Sequence, residues 1–210
     1  MSPVAEPAPA PDCPFCHRDT LAGLLAETDH FYVLADHAPL IEGHTLLIPK
    51  AHHACYGAIP AALDPELLAL KRRAARILTA AYAAPVFFEH GVFRQTVYHA
   101  HLHAMPFGPV DFGVHALAAE AGGRHVHSRD DVRAWYATHG HYFYIEQPAC
   151  DGSPAQAAVF PPDLQLYFRV LGALRDASGH HGGWLPPAER HAARHPKVAA
   201  LTDHWRRLDV

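Results

Sequence analysis

Three histidines alternate with small or apolar residues in one segment of the chain. His99, His101 and His103 are separated by Ala100 and Leu102. In a strand, side chains alternate between faces, so the three imidazoles would share one face. Same-face neighbours lie about 6.5 to 7 Å apart, which lets several imidazoles contact one phosphate and its leaving group. A core role would explain one such histidine, but three on one face cost free energy unless something binds them.

Two cysteines near the amino terminus have the spacing of a metal-binding or redox pair. Two residues separate Cys13 from Cys16, which lets both thiolates bind one metal ion. A thioredoxin-like pair has the same spacing but follows a strand, whereas Cys13 follows a Pro/Ala-rich leader, so the redox alternative is the weaker one. A tetrahedral site needs two more ligands. The chain has 20 histidines to supply them, and Cys55 and Cys150 lie in unrelated loops.

Composition limits the possible partners. The chain has 210 residues, half of them apolar, and a formal net charge of -4. Broad binding to nucleic acid or to a membrane surface would need a basic surplus, so we expect neither. No apolar run reaches the length of about 18 residues that a transmembrane helix needs. Residues 1–12 lack the pattern of a signal peptide, which predicts a disordered leader and a cytoplasmic protein.

Hydrophobic periodicity predicts the elements around the histidines. Apolar residues at three- and four-residue steps predict a helix over 60–81, beginning near Asp64 and Pro65. Short apolar runs predict strands at 31–35, 44–49, 86–89, 97–105, 142–145 and 157–160. Residues 163–176 and 186–208 are expected to be helical, and residues 108–140 to be mixed.

These segments resemble the histidine triad (HIT) superfamily, whose motif is three histidines alternating with apolar residues. The segment from Gly43 to His52 resembles the upstream strand of the family, which ends in Pro-Lys-x-His. The segment from Gln95 to Tyr98 resembles the Gln-Ser-Val-x run before the triad, and the Cys13/Cys16 pair resembles that of zinc-bearing members. The resemblance spans residues 13 to 106, and beyond it only a general similarity to extended bacterial members remains.

The resemblance implies an α+β fold, with a HIT-like antiparallel sheet, one long packed helix and a carboxyl-terminal α/β extension. It divides the chain into a leader (1–12), a HIT-like catalytic core (13–110) and an extension packed on that core (111–210). We expect the extension to shape the nucleotide pocket.

The resemblance also assigns roles to the residues around the triad. His101 matches the nucleophile that forms a nucleotidyl-imidazole intermediate, and His103 and Thr96 match groups that support the phosphate or the departing group. As a nucleophile, His101 would need a neutral imidazole whose other ring nitrogen, the one that does not attack, donates to a backbone carbonyl.

The expected nucleotide-binding residues are Asp36, His37, Gln95 and Glu89. Asp36 matches the ribose-binding acid, although an aspartate that only forms a turn would look the same. Gln95 is expected near the phosphate and His37 near the base. Glu89 stands in a turn where compact members carry an Asn at the scissile group, and its acid would repel phosphate unless it is turned away or protonated.

Structural zinc is implied at Cys13, Cys16, His52 and His99, with His53 as the alternative to His52. A closed site of four protein ligands has no open position for water, so we do not expect metal-activated hydrolysis.

The function implied is a hydrolase that cleaves a nucleoside-phosphate linkage, and the expected substrate contains adenine. Candidate substrates are a dinucleoside polyphosphate, a phosphoramidate or a related nucleotidyl conjugate. Two alternatives are a nucleotidyltransferase or phosphorylase of the same superfamily and a zinc-stapled nucleotide-binding protein with little turnover. Many relatives are homodimers, so a homodimer is expected.

Overall fold

One eight-stranded antiparallel sheet forms the centre of the molecule. The computed structural model describes residues 8–209 apart from 112, 151, 153, 178 and 180–184. The strands are β1 Leu24–Glu27, β2 Phe31–Ala35, β3 Thr45–Pro49, β4 Val86–Glu89, β5 Leu102–Met105, β6 Arg124–His125, β7 Phe143–Gln147 and β8 Gln156–Phe160. Their order across the sheet is β1-β2-β3-β5-β4-β7-β8-β6. The predicted α+β class is confirmed.

Six helices flank the sheet in the described residues. They are α1 Asp64–Ala81, α2 Val114–Glu120, α3 Arg129–His139, α4 Leu164–Ala177, α5 Pro187–Ala192 and α6 Arg194–Leu208. The long predicted helix is α1, which buries Leu67, Leu70, Ala74 and Ile77 on one side. None of the helices in this part of the chain is both long and apolar enough to cross a membrane.

The two faces of the sheet pack against different groups of residues. On one face, Leu102 and other strand residues share a core with α1, α3 and α6; we call it the helix face. The other, the histidine face, carries His103 between two apolar clusters. One cluster contains Leu46 and Phe15, and the other contains Phe88 together with residues of α2 and α4. The histidines therefore lie in a gap between two packed regions.

The predicted strand over 97–105 is wrong in its first half, because β5 begins only at Leu102. The backbone before it is bonded outside the sheet. The Ala100 N–H donates to the His53 carbonyl at 2.6 Å, and the His99 carbonyl accepts from the His101 ring. The alternation of faces still holds, because the Phe15 ring contacts both His99 and His101, at 5.7 Å between centroids.

The structure also differs from the predicted elements in the bounds of several helices and in the extent of the sheet. The helix predicted over 186–208 is divided into α5 and α6, and the mixed segment 108–140 contains α2 and α3. Strand β1, which the sequence did not predict, pairs with β2 through an irregular register. The sheet continues past residue 110 into β6, β7 and β8, so the expected core and extension share one sheet. Residues 1–7 of the expected leader lie outside the described residues.

Candidate active site and metal centre

Four side chains from distant segments meet beside the first histidine of the run. The sulfur and ring-nitrogen atoms of Cys13, Cys16, His52 and His99 all lie within 4.8 Å of one another. Cys16 Sγ is 3.3 Å from His52 Nδ1 and 3.6 Å from His99 Nδ1, and Cys13 Sγ is 3.4 Å from His99 Nδ1. These separations fit the edges of a tetrahedron with metal bonds of about 2.0 to 2.3 Å. His53 is not part of this Cys/His cluster as the structure describes it.

The backbone orients the His99 ring towards the two cysteines. Its Nε2 donates to the Pro49 carbonyl at 2.7 Å, so the lone pair is on Nδ1, the atom that faces Cys13 and Cys16. Burial lowers the pKa of His99 to about 4, which keeps the ring neutral. Two thiolates and two neutral imidazoles form a donor set that suits zinc, so the residues present fit that ion.

His101 is held in one tautomer by the backbone of the same run. Its Nδ1 donates to the His99 carbonyl at 2.7 Å, which is the hydrogen bond that a nucleophilic histidine needs. Burial lowers the pKa of His101, so the ring is neutral near pH 7. The lone pair is therefore on Nε2, the atom that would attack an electrophile.

A chain of hydrogen bonds also fixes the tautomer of His103. The Leu40 N–H donates to His44 Nδ1 at 3.2 Å, so the proton of neutral His44 is on Nε2. That atom donates to His103 Nδ1 at 2.9 Å, which places the His103 proton on Nε2. Burial lowers the pKa of both His44 and His103, which keeps both rings neutral.

The Nε2–H group of His103 is buried without a hydrogen-bond partner in the part of the chain that the structure describes. Its ring lies 5.0 Å from the His101 ring, centroid to centroid. A buried donor without a partner costs free energy, so this group marks a place where a ligand acceptor would be stabilised. A nucleophilic lone pair and a free donor thus lie side by side.

The predicted ribose acid lies at the edge of this histidine group. The Asp36 carboxylate accepts from the Ala38 N–H at 2.7 Å, and its other oxygen is 3.7 Å from His44 Nε2. His37 is exposed, and its ring lies 5.8 Å from that of His191. The structure thus brings Asp36 close to His103, while His37 lies further out, against α5.

Gln95 and Thr96 precede the triad in an irregular segment. The Gln95 side chain donates to the Ala54 carbonyl at 3.0 Å, and its own carbonyl oxygen is buried without a partner among the described residues. Thr96 is exposed. The contact with Ala54 shows that Gln95 holds this segment against the turn after β3.

Glu89 is turned away from the histidines, into the core on the helix face. Its carboxylate accepts from the Tyr142 hydroxyl at 2.5 Å and from the Tyr56 N–H at 2.8 Å. Burial raises the pKa of Glu89 to about 7. The acid therefore does not face a phosphate bound at His101.

His90 is a further histidine beside the pair, and no sequence motif assigns it a role. Its Nδ1 donates to the Phe93 carbonyl at 3.1 Å, and its ring lies 5.6 Å from that of His103. Burial lowers the pKa of His90 to about 4, so its Nε2 is an acceptor. Val92 in the same turn has a φ of 78°, an unfavourable backbone conformation for a β-branched residue.

Helices from the segment after residue 110 contact the residues around the site. The Tyr167 ring of α4 lies 5.7 Å from the His90 ring. From α5, Arg190 donates to the Ala38 carbonyl at 2.9 Å and His191 donates to the His37 carbonyl at 3.1 Å. The carboxyl-terminal helices therefore hold the loop that follows Asp36.

The alternation of side chains along a strand could have placed His44 in the site. It lies two residues before Leu46, and Leu46 pairs with His103 across β3 and β5. Residues two apart share a face, so His44 belongs beside His103. No sequence signal identifies Arg190 or His191, because their contacts span more than 150 residues.

Comparison of the chain with known proteins finds proteins of the histidine triad family. A family model described as the HIT domain matches residues 19–108. No curated protein matches the sequence. Three of the solved structures that are similar to parts of the chain illustrate the likeness to this family. A zinc-bound histidine triad family protein from Mycobacterium smegmatis is 25% identical, with 60% of this chain and 94% of that chain covered and a TM-score of 0.42.

The other two are a HIT family hydrolase and a hypothetical nucleotide-binding protein. The hydrolase, from Clostridium thermocellum, is 27% identical over 50% of this chain and 96% of its own, with a TM-score of 0.39. The hypothetical histidine triad nucleotide-binding protein, from Sulfolobus tokodaii, is 18% identical over 82% and 100%, with a TM-score of 0.42. The assignment therefore rests on the matched segment, which contains the triad: residues 19–108 match the HIT domain, and this match supports a place in the histidine triad superfamily.

Proposed function

We propose that this protein is a nucleotidyl hydrolase that acts through a covalent intermediate on His101. The observation that carries the proposal is the pair of fixed tautomers, with a lone pair on His101 Nε2 and a free N–H on His103 Nε2. The first supplies a nucleophile and the second stabilises negative charge on the phosphate or the leaving group.

The reaction would proceed in two displacements at the α-phosphorus. His101 Nε2 forms a bond to phosphorus as the bond to the leaving group breaks, and the His99 carbonyl stabilises the charge that develops on the ring. Water then forms a new bond to phosphorus, the phosphorus–nitrogen bond breaks, and the nucleoside monophosphate leaves. The proton of the water passes to solvent, and neutral His101 is regenerated.

A neutral His103 favours one kind of leaving group. Because burial holds its pKa well below the usual value, His103 donates a hydrogen bond but has no second proton to give. A polyphosphate leaves as a stable anion, whereas an amine needs a proton. We therefore place dinucleoside polyphosphates ahead of phosphoramidates as substrates. Thr96 and Gln95 are proposed to contact the phosphate after the loop adjusts.

The nucleoside is proposed to bind against Asp36 and His37, with an adenine base. Arg190 and His191 already hold this loop, so the extension would shape the pocket from outside. Zinc at the Cys/His cluster would anchor the amino-terminal segment and takes no part in the displacements. A homodimer remains a prediction.

The test is nucleoside monophosphate release from diadenosine polyphosphates, an adenosine phosphoramidate, ADP-glucose and GTP. We expect release by the wild type, none by His101→Ala, and normal release by His195→Ala, which removes an exposed histidine of α6. Equal release by wild type and His101→Ala would refute the mechanism. Release that requires added phosphate would identify a transferase instead, and nucleotide binding without release would identify a binding protein.

A further inference from the structure

A cavity opens on the helix face of the molecule, away from the histidines. Its volume is about 260 Å³, and it lies between α1, the start of α3 and strand β8. Its apolar lining includes Leu67 and Leu68 of α1 together with Val126, Val132 and Ala157. Known ligand pockets are mostly apolar with a few placed polar groups, and this cavity has that character at a volume suited to a single ring system.

The floor of the cavity is the reverse side of the triad strand. Leu102, which separates His101 from His103 in sequence, lies on the floor with Tyr144 and Glu89. Each oxygen of Glu89 already accepts one hydrogen bond, one from the Tyr142 hydroxyl and the other from the Tyr56 N–H.

One end of the cavity presents a donor beside an acceptor. Lys71 and the Tyr144 hydroxyl both donate to the same oxygen of Glu146, Oε2. Oε1 of Glu146 accepts no hydrogen bond from the described residues, and Lys71 has further N–H groups to donate. An amide or lactam edge, with its adjacent N–H and C=O, matches such a pair.

The Lys and Arg side chains that line the cavity are already paired with acids. Lys71 is paired with Glu146, and Arg129 is paired with Asp64 at 2.9 Å while donating to the Tyr56 carbonyl at 2.5 Å. A charged ligand would have to displace one of these partners at a desolvation cost. We infer that this cavity is a second binding site, for an uncharged planar ring that carries an amide or lactam edge.

Nicotinamide and nicotinate form a matched pair of probes, because they share a ring and differ in charge. Calorimetry with the wild-type protein should give a dissociation constant for nicotinamide of about 1 mM or tighter and binding of nicotinate at least about tenfold weaker. Ala157→Phe fills the cavity from β8, and Leu68→Trp fills it from its partly exposed rim, where folding tolerates the change. Both variants should lose nicotinamide binding, whereas His103→Ala, altered only on the histidine face, should retain it.

Each other result contradicts the site or its ligand class. Nicotinamide binding that survives in a folded filling variant, or that disappears in His103→Ala, would place the ligand elsewhere. Nicotinate binding as tight as nicotinamide would overturn the uncharged class, and absence of nicotinamide binding would overturn the site. None of these results depends on turnover at His101, so the proposal fails or stands apart from the proposed function.

Discussion

The Cys/His cluster and the His101–His103 pair use neighbouring histidines of one run through opposite ring nitrogens. His99 donates from Nε2 to a carbonyl and presents Nδ1 to two cysteines. His101 donates from Nδ1 to a carbonyl and keeps Nε2 free. The residue types are identical and the burial is similar. The acceptor that each ring meets decides whether it is suited to hold a metal or to attack a phosphate.

The comparison predicts that loss of the metal lowers the stability of the fold much more than it lowers turnover. Cys16→Ala should lose zinc and lower the free energy of unfolding by several kcal/mol, because binding at a structural site contributes directly to folding. Turnover per folded molecule should fall only a few-fold, through the contact of Phe15 with His101. Metal analysis and urea unfolding would measure this, with Cys150→Ala as the matched cysteine control. Full zinc content in Cys16→Ala would contradict the assignment.

At the other end of the run, loss of the free donor should affect chemistry and not stability. His103→Ala should lower kcat by about 100-fold, the usual effect of removing one donor that stabilises developing charge. KM should change little. Stability should also change little, because the loss of the unpaired His103 donor offsets the loss of the hydrogen bond from His44. Steady-state kinetics and urea unfolding would measure both. An unchanged kcat would remove His103 from the mechanism.

Glu89 should affect stability alone, because it lies outside both sites. Its pKa is raised from 4.5 to about 7 by burial, so its proton is held more tightly in the folded state. The corresponding stability, about 3 kcal/mol, is fully present below about pH 4.5 and is lost as the pH rises through about 7. Glu89→Gln should remove this loss. Urea unfolding of both proteins at about pH 5 and about pH 8 would measure it.

The same comparison requires that Glu89→Gln keep the pH profile of turnover. A profile that changes with this substitution would show that Glu89 acts on the histidine face. A stability that falls equally with pH in both proteins would show that Glu89 is not the group whose ionisation lowers it.

The smallest effect on turnover is expected for His44, the residue that sets the tautomer of His103. His44→Phe should lower kcat by about tenfold, a typical loss when the partner that orients a functional histidine is removed. His44→Gln, whose amide N–H can donate in place of His44 Nε2, should recover part of it. Ring-nitrogen NMR of His103 would report the tautomer directly, and an unchanged tautomer in His44→Phe would exclude this role.

Local patterns predicted the elements whose burial follows the sequence directly. The apolar runs of β2 and β7 are buried along nearly their whole length, and the apolar stripe of α1 is buried on one side of the helix. Residues 97–101 were expected to be strand because the histidines alternate. Alternation shows which side a residue faces, but the backbone there bonds to His53 and to the His101 ring.

The sequence predicted those residues of the candidate site that belong to short motifs. The four residues of the Cys/His cluster meet as the resemblance implied. Glu89 could not be placed from sequence, because its direction depends on Tyr142, which arrives from 53 residues away. The contacts of Arg190 and His191 with the 37–38 loop depend in the same way on long-range packing.

The covalent intermediate is the most direct test of the account. The wild-type protein would be mixed with a diadenosine polyphosphate, quenched within a turnover, digested, and its peptides analysed by mass spectrometry. We expect an adenylyl group on His101 of the wild type, and no adduct on His101→Ala. Turnover without any adduct, or an adduct on His99 or His103, would contradict the assignment of His101 as the nucleophile.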